Sequence, residues 1–308
     1  MGSLSPRRPG ILLVHPRLRE PSEESAGTFL RWTKLHYRDL LSIPDTPALG
    51  HTTRTLRFVG KLGEPYFYTT NVEDIGILQS EAYYKIPRQL DLENTRALSK
   101  DEEAVGKAGQ VWDVVDTIFG VFEYVGGWEK DVSGLKQRLE SPERLNTVQI
   151  ESYQTLPLPL STTLTNNQTP RNYLIALTIR NVPTTLNPES APSDQPAPRS
   201  VLALQEALLR YLASGNGPST ISEEGVKIAT SVYRYAGQQA QPAEHPLIDV
   251  GATGEWLVVA LLVAPDVQAT GLDEEVVEWV DRWDAHAVAG KEDVSVEWRT
   301  WSGDLFMQ

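Results

Sequence analysis

The 308-residue chain contains no cysteine. That absence removes disulfide frameworks, Cys-ligated zinc, iron–sulfur clusters and thiol nucleophiles together, and it fits a reducing compartment, so a cytoplasmic location is expected. Excess positive charge is missing as well, since 28 Lys and Arg against 41 Asp and Glu leave a net −13. A surface that acidic repels phosphate backbones and anionic lipid headgroups, so neither nucleic acid nor membrane is expected as a partner. Long apolar runs are lacking too. The longest, Trp256 to Pro265, falls well short of the roughly 20 residues a spanning helix requires, and Ile11 to Val14 is too short for the core of a signal peptide. There is no G-x-G-x-x-G before a helix, no P-loop, no G-x-S-x-G elbow and no spaced carboxylate cluster for calcium. With no H-x-H or H-E-x-x-H spacing either, no metal is expected.

What remains is an ordinary globular composition, 40% apolar and 22% charged, long enough for about two domains. Proline and small polar residues gather at Leu156 to Pro170 and again at Asn181 to Arg199, where Pro183, Pro188, Pro192, Pro196 and Pro198 read as a long insertion. Between these stretches the hydrophobic period switches in a repeating order. Gly10 to Leu18 is a short aliphatic strand. Ala26 to Leu41 sets Phe29, Trp32, Thr33, His36, Leu40 and Leu41 on one helical face. His51 to Gly60 and Pro65 to Thr70 predict a hairpin. Short helical patterns over Val72 to Tyr84 and Lys100 to Val115 lead to a strand over Thr117 to Gly126, where Gly120 reads as a bulge and Gly126-Gly127 as a turn.

The second half repeats the order. Strands are expected over Asn172 to Arg180, Val226 to Ala236, Glu255 to Ala264 and Val294 to Trp301, with helices over Ser200 to Ala213 and Asp273 to Ala287. Each half, 1–140 and 141–308, is then a βαββαβ unit of ferredoxin-like type, an α+β fold. Because each sheet leaves one face without helices, two such sheets in one chain can close an intrachain α/β barrel, as a monomer or a homodimer.

Residues 29–41 with Pro44, in which Phe29, Trp32, His36 and Asp39 stand at fixed spacing, resemble the first helix of EthD-like dimeric α/β-barrel proteins found in fungi. Ile11 to His15 and Asn71-Val72-Glu73-Asp74 are similar to that family's first strand and the turn after its third. The likeness covers about the first 130 residues; the second half matches in element order alone, because its helix around Leu208 to Leu212 has no Trp/His pair. The resemblance implies a cavity between sheet and helices and relatives that are cofactor-free tailoring enzymes of natural-product pathways, among them decarboxylases, cyclases and isomerases. Others in the superfamily are monooxygenases, haem enzymes or binding proteins.

His36 leads the candidates, because an imidazole moves protons near neutral pH and this one shares a helix face with Phe29 and Trp32. Asp39, three residues on, could orient it. His15 and His51 could join it as a second acid or base. Tyr66 and Tyr68 share a strand face, and a Tyr hydroxyl there could donate to a developing oxyanion. Trp112, Trp298 and Trp301 could line a pocket for an aromatic substrate or fill the core. The expected activity is that of a cofactor-independent lyase or isomerase on an aromatic or polyketide-like molecule. The rivals are a ligand-binding or stress-related barrel without catalysis and a cofactor-free monooxygenase.

Overall fold

A computed structural model describes residues 7–50, 52–59, 66–131, 171–182, 196–212, 227–237, 248–249, 256–264 and 272–307. The chain divides into two compact units. The first comprises residues 1–123, 236–250 and 305–308, and the second residues 124–235 and 251–304. The expected boundary near residue 140 and most of the 181–199 insertion lie outside the described residues.

In the first unit β1 (Gly10–Leu18), β2 (Thr52–Val59), β3 (Tyr66–Val72) and residues 115–123 of β4 (Val115–Asp131) are antiparallel neighbours in the order β4-β1-β3-β2. β1 is central. A two-residue strand, β7 (Ile248–Asp249), runs parallel to β4 at Ile118 and Phe119. Across β1 and β2 lies α1 (Glu23–Leu41), which starts where Ser22 and Ser25 form a reciprocal capping box and ends at Ser42. Its stripe of Phe29, Trp32, Leu35 and Leu40 packs on Leu12, Val14, Val115 and Val121. Each such large apolar side chain, taken from water to full burial, stabilises the unit by about 1.5–3 kcal/mol.

The second crossover departs from expectation. No long helix forms between β3 and β4; the segment holds short 3₁₀ turns at Ile75–Gln79, Leu92–Asn94 and Val111–Asp113 and a single turn of α-helix, α2 (Glu81–Tyr84). The reason is local chemistry. Pro87 interrupts the pattern, Gly106 and Gly109 take φ values of 69° and 119°, and carboxylates accept the backbone N–H groups that a helix would otherwise pair. Glu93 takes Gly106 N at 2.7 Å, Glu102 takes Ser99 N at 2.8 Å and Asp113 takes Gln110 N at 2.8 Å. β4 also runs past both predicted interruptions. Its register with β1 continues through Gly120 without a shift, and a Cβ there would come within 2.5 Å of the Phe122 ring, so the glycine makes room for a neighbour instead of a bulge.

The second unit holds β5 (Arg171–Arg180), β6 (Lys227–Gly237), β8 (Trp256–Ala264) and β9 (Ser295–Met307), antiparallel in the order β9-β5-β8-β6. Numbered within its own unit, each sheet therefore reads 4-1-3-2. α3 (Arg199–Leu212), α4 (Leu272–Asp281) and α5 (Ala285–Lys291) supply Leu204, Leu208, Val276 and Val280 to its core. The single helix expected over 273–287 is two, because Asp284 caps the start of α5 by accepting from Ala287 N. Among the described residues no helix is long and apolar enough to cross a membrane.

One ion network clips the irregular crossover onto α1. Arg96 donates to Asp39 at 2.7 Å and, bidentately, to Glu102 at 2.8 and 3.0 Å, while Arg38 reaches Asp101 and Glu102. Arg96 holds the enclosed Glu102 carboxyl down to about 2, so its stabilisation is complete above pH 4.5 and is lost as pH falls toward 2. Desolvation moves Asp39 the other way, upward, which offsets part of that loss. Glu102→Gln should therefore lower stability at neutral pH by up to about 3 kcal/mol and flatten the stability-versus-pH curve below pH 4.5. An unchanged acid limb in urea titrations would contradict this.

Candidate functional site

Between α1 and the sheet of the first unit lies a cavity lined by apolar and aromatic side chains, with Leu12 and Val14 from β1, Phe29 and Trp32 from α1, and Trp112, Val115 and Phe119 around β4. About 480 Å³ is free of atoms, mouth included, of which about 30 Å³ admits the centre of a water-sized molecule. At ~10–15 Å³ of such space per water, the enclosed part as it stands has room for about two or three waters, so a ring must reach into the mouth and a fused polyketide skeleton does not fit. The polar groups in its lining are His36, Tyr37, Tyr83, Arg88 and Thr117.

His36 stacks on Trp32, ring centroids 4.5 Å apart and 13° from parallel. The i,i+4 spacing on α1 places one ring over the other. Its Nδ1 is enclosed and has no hydrogen-bond partner. Desolvation and then the charge of Arg88 depress its pKa to about 3, against the Pro87 carbonyl, which favours the protonated ring. Part of the ring still meets solvent, which softens the depression without reversing it. The ring is neutral at pH 7.

The rim opposite α1 is fixed by backbone. Trp32 Nε1 donates to Gln89 O at 2.9 Å, Val111 N to Arg88 O at 3.1 Å and Leu90 N to Gly109 O at 2.8 Å. On this rim Arg88 sets its guanidinium over the Tyr83 ring, 5.4 Å from the centroid, donates to the Tyr83 hydroxyl and gives Nη1 to Ile86 O at 3.1 Å. Burial pushes Tyr83 up to about 12, so its O–H stays protonated and available as a donor. Tyr37, raised by burial, stacks on Tyr68 at 5.0 Å.

The cavity gathers four residues singled out from sequence: Phe29, Trp32, His36 and Trp112. His15 is not with them. In a period-two strand it shares a face with Ile11 and Leu13, opposite to Leu12 and Val14, and it meets Phe67 at 6.0 Å on that other side. Asp39 does not line the cavity either; it serves the Arg96 network. Tyr68 is fully buried beside the site, 3.3 Å from Thr33 Oγ1, and is a packing residue behind Tyr37. His51 lies outside the described residues, as do the side chains of Tyr66, Trp298 and Trp301. Tyr83 and Arg88 went unseen in the sequence, because a loop arginine between Pro87 and Leu90 carries no periodic signal. Among the described residues no group of three or more His, Asp or Glu could hold a metal ion.

No protein-family model matches the chain, and no curated protein does. Structural likeness extends over nearly the whole chain at low similarity. A candidate chlorite dismutase is 12% identical, with 97% of this chain and 95% of that one covered and a TM-score of 0.38. A candidate monooxygenase from Fusobacterium nucleatum is 9% identical over 97% and 93%, at 0.35, and one from Lactobacillus acidophilus is 8% identical over 97% and 95%, at 0.33. Similarity at that level carries no argument, so the α+β reading rests on the strand order of each unit.

A His held neutral inside the fold but free to protonate once unfolded makes folding weaken as pH drops below 6.5, down to about 3. His36→Gln should remove this slope. Between pH 6.5 and 5, above the range where Glu102 titrates, the variant should lose less stability than wild type in chemical denaturation. Parallel curves would mean that His36 binds its proton in the native state as readily as in the unfolded chain.

Proposed function

We propose that the cavity of the first unit is the site of a cofactor-independent isomerase acting on a small, single-ring, enolisable molecule. The observation that carries this reading is His36 Nδ1, an enclosed ring nitrogen with no partner in the lining of a largely apolar cavity, which acts as an acceptor when the ring's one proton sits on the other nitrogen. Leaving a buried acceptor unpaired costs about 1–3 kcal/mol, and a substrate proton at that atom would recover it. A neutral imidazole can take a proton and return it elsewhere on the same molecule, so a tautomeric shift needs no net acid. The C–H pair moves into the C=C bond as His36 takes the proton, the carbonyl becomes an enolate, and return of the proton to oxygen gives the enol. Tyr83 O–H is placed in the same lining to donate to the enolate oxygen. Although a pKa near 3 makes His36 a weak base in the empty cavity, negative charge on the enolate raises its proton affinity as the proton moves.

Decarboxylation and cyclisation fit less directly. The first must deliver a proton to carbon after carbon dioxide leaves, and the neutral ring has none to spare at the outset. For the architecture, the repeated 4-1-3-2 order supports tandem ferredoxin-like units of an EthD-like barrel. The face of the first sheet turned away from α1 carries Ile11, Leu13, Phe67 and Phe122, side chains a water-facing sheet would not present.

Phenylpyruvate keto–enol conversion, followed by absorbance, tests the activity. Wild type should accelerate it, and His36→Gln should lower the rate by about 10²-fold or more while melting as a folded protein. Binding of phenylpyruvate with no acceleration would favour a ligand-binding module, and equal rates for wild type and variant would remove His36 from the chemistry.

A further inference from the structure

Resting on that reading of the cavity, we propose that Arg88 makes the site selective for small ring compounds bearing a carboxylate, which its guanidinium holds at the rim. Acids exceed bases by 13 in this chain, and four arginines of the first unit are paired with them: Arg7 with Glu73, Arg19 with Asp116, Arg38 with Asp101 and Arg96 with Asp39. Arg88, the arginine that lines the cavity, has no acidic partner among the described residues. No Asp or Glu lines the cavity it faces; the acids nearest in sequence are engaged elsewhere, Asp91 accepting from Asn94 Nδ2 at 2.9 Å, Glu93 from Gly106 N at 2.7 Å and Glu81 pairing with Lys85 at 2.7 Å, and the hydrogen bonds of Arg88 go to neutral oxygens, the Ile86 carbonyl and the Tyr83 hydroxyl. A half-exposed cation at the rim, with no counter-charge beside it, is balanced by water, and a ligand carboxylate would replace that water with a two-pronged, charge-assisted contact.

The rim is also rigid. Val111 N fixes the Arg88 carbonyl, Trp32 fixes that of Gln89, and the ring of Tyr83 lies beneath the guanidinium. Little freedom is left to lose when a carboxylate arrives, so the fork is set in advance. The rest of the lining accepts a ring: Trp112 and Phe119 meet edge to face at 6.0 Å, and Phe29 and Trp32 stack at 5.9 Å. Arg88 is thus a specificity-determining residue, separate from the proton-transfer role given to His36.

Benzoate and benzamide, equal in size and shape and different in charge, are the probes. Calorimetric titration at pH 7 should give at least about tenfold tighter binding of benzoate to wild type, the worth of a hydrogen-bonded charge pair. Arg88→Gln should bring the two ligands level by weakening benzoate alone, and Arg88→Lys, which keeps the charge but not the fork, should retain part of the preference. Melting curves of both variants establish that they are folded. Equal binding of the two probes by wild type, or a preference that survives Arg88→Gln, would overturn the assignment while leaving phenylpyruvate turnover intact. If neither probe binds and phenylpyruvate is not turned over, the reading of the cavity falls together with it.

Discussion

Trp32 is the side chain on which the first unit depends. Its indole fills the groove between α1 and β1, its N–H holds the carbonyl of Gln89, and its face carries the ring of His36. Core, rim and candidate acceptor are thereby set by one residue, and each constraint is of a different kind: apolar burial, a directional hydrogen bond and ring stacking. The cavity exists because the helix bearing Trp32 meets the sheet at one end of its stripe while the loop bearing Arg88 is tied across the other. Loss of the indole would loosen all three at once, which is why a substitution at Trp32 cannot separate stability from function and substitutions at His36 and Arg88 can.

The electrostatics follow from that packing. A histidine on the surface would titrate near neutrality, whereas stacking on Trp32 and proximity to Arg88 keep His36 neutral. The same burial holds Tyr83 protonated. An acceptor and a donor of fixed protonation state, facing one small volume, define what a bound molecule must offer: a proton to give and an oxygen to receive one. The Arg96 network lies on the far side of this division. It holds a crossover without a long helix against α1, and its carboxylates are spent on that task.

Much of the fold was legible because its signals are periodic. β1 and α1 were readable from alternation and from the three-to-four spacing of Phe29, Trp32, His36 and Leu40. The crossover after β3 was not, since its shape comes from carboxylates and serines that accept backbone N–H groups one by one, a code without a period. The side of the sheet on which His15 lies was half readable. Its parity with Ile11 and Leu13 was plain, but both parities of β1 are apolar, so nothing in the strand said which one faces the helix. In the site, the residues carried by α1 were found, and those carried by the rim were missed: Tyr83 and Arg88 reach the cavity through contacts between segments far apart in sequence.

On the proposed reading, His36 Nδ1 is an open acceptor that receives a proton from a ligand. Nitrogen NMR of a sample labelled at histidine reads that atom directly. The His36 Nδ1 resonance should lie at the position of an unprotonated, unbonded ring nitrogen in the free protein and move toward the hydrogen-bonded position on saturation with phenylpyruvate, with the other histidines unmoved. A resonance that already shows a protonated Nδ1 in the free protein, or one that does not respond to the ligand, would contradict it.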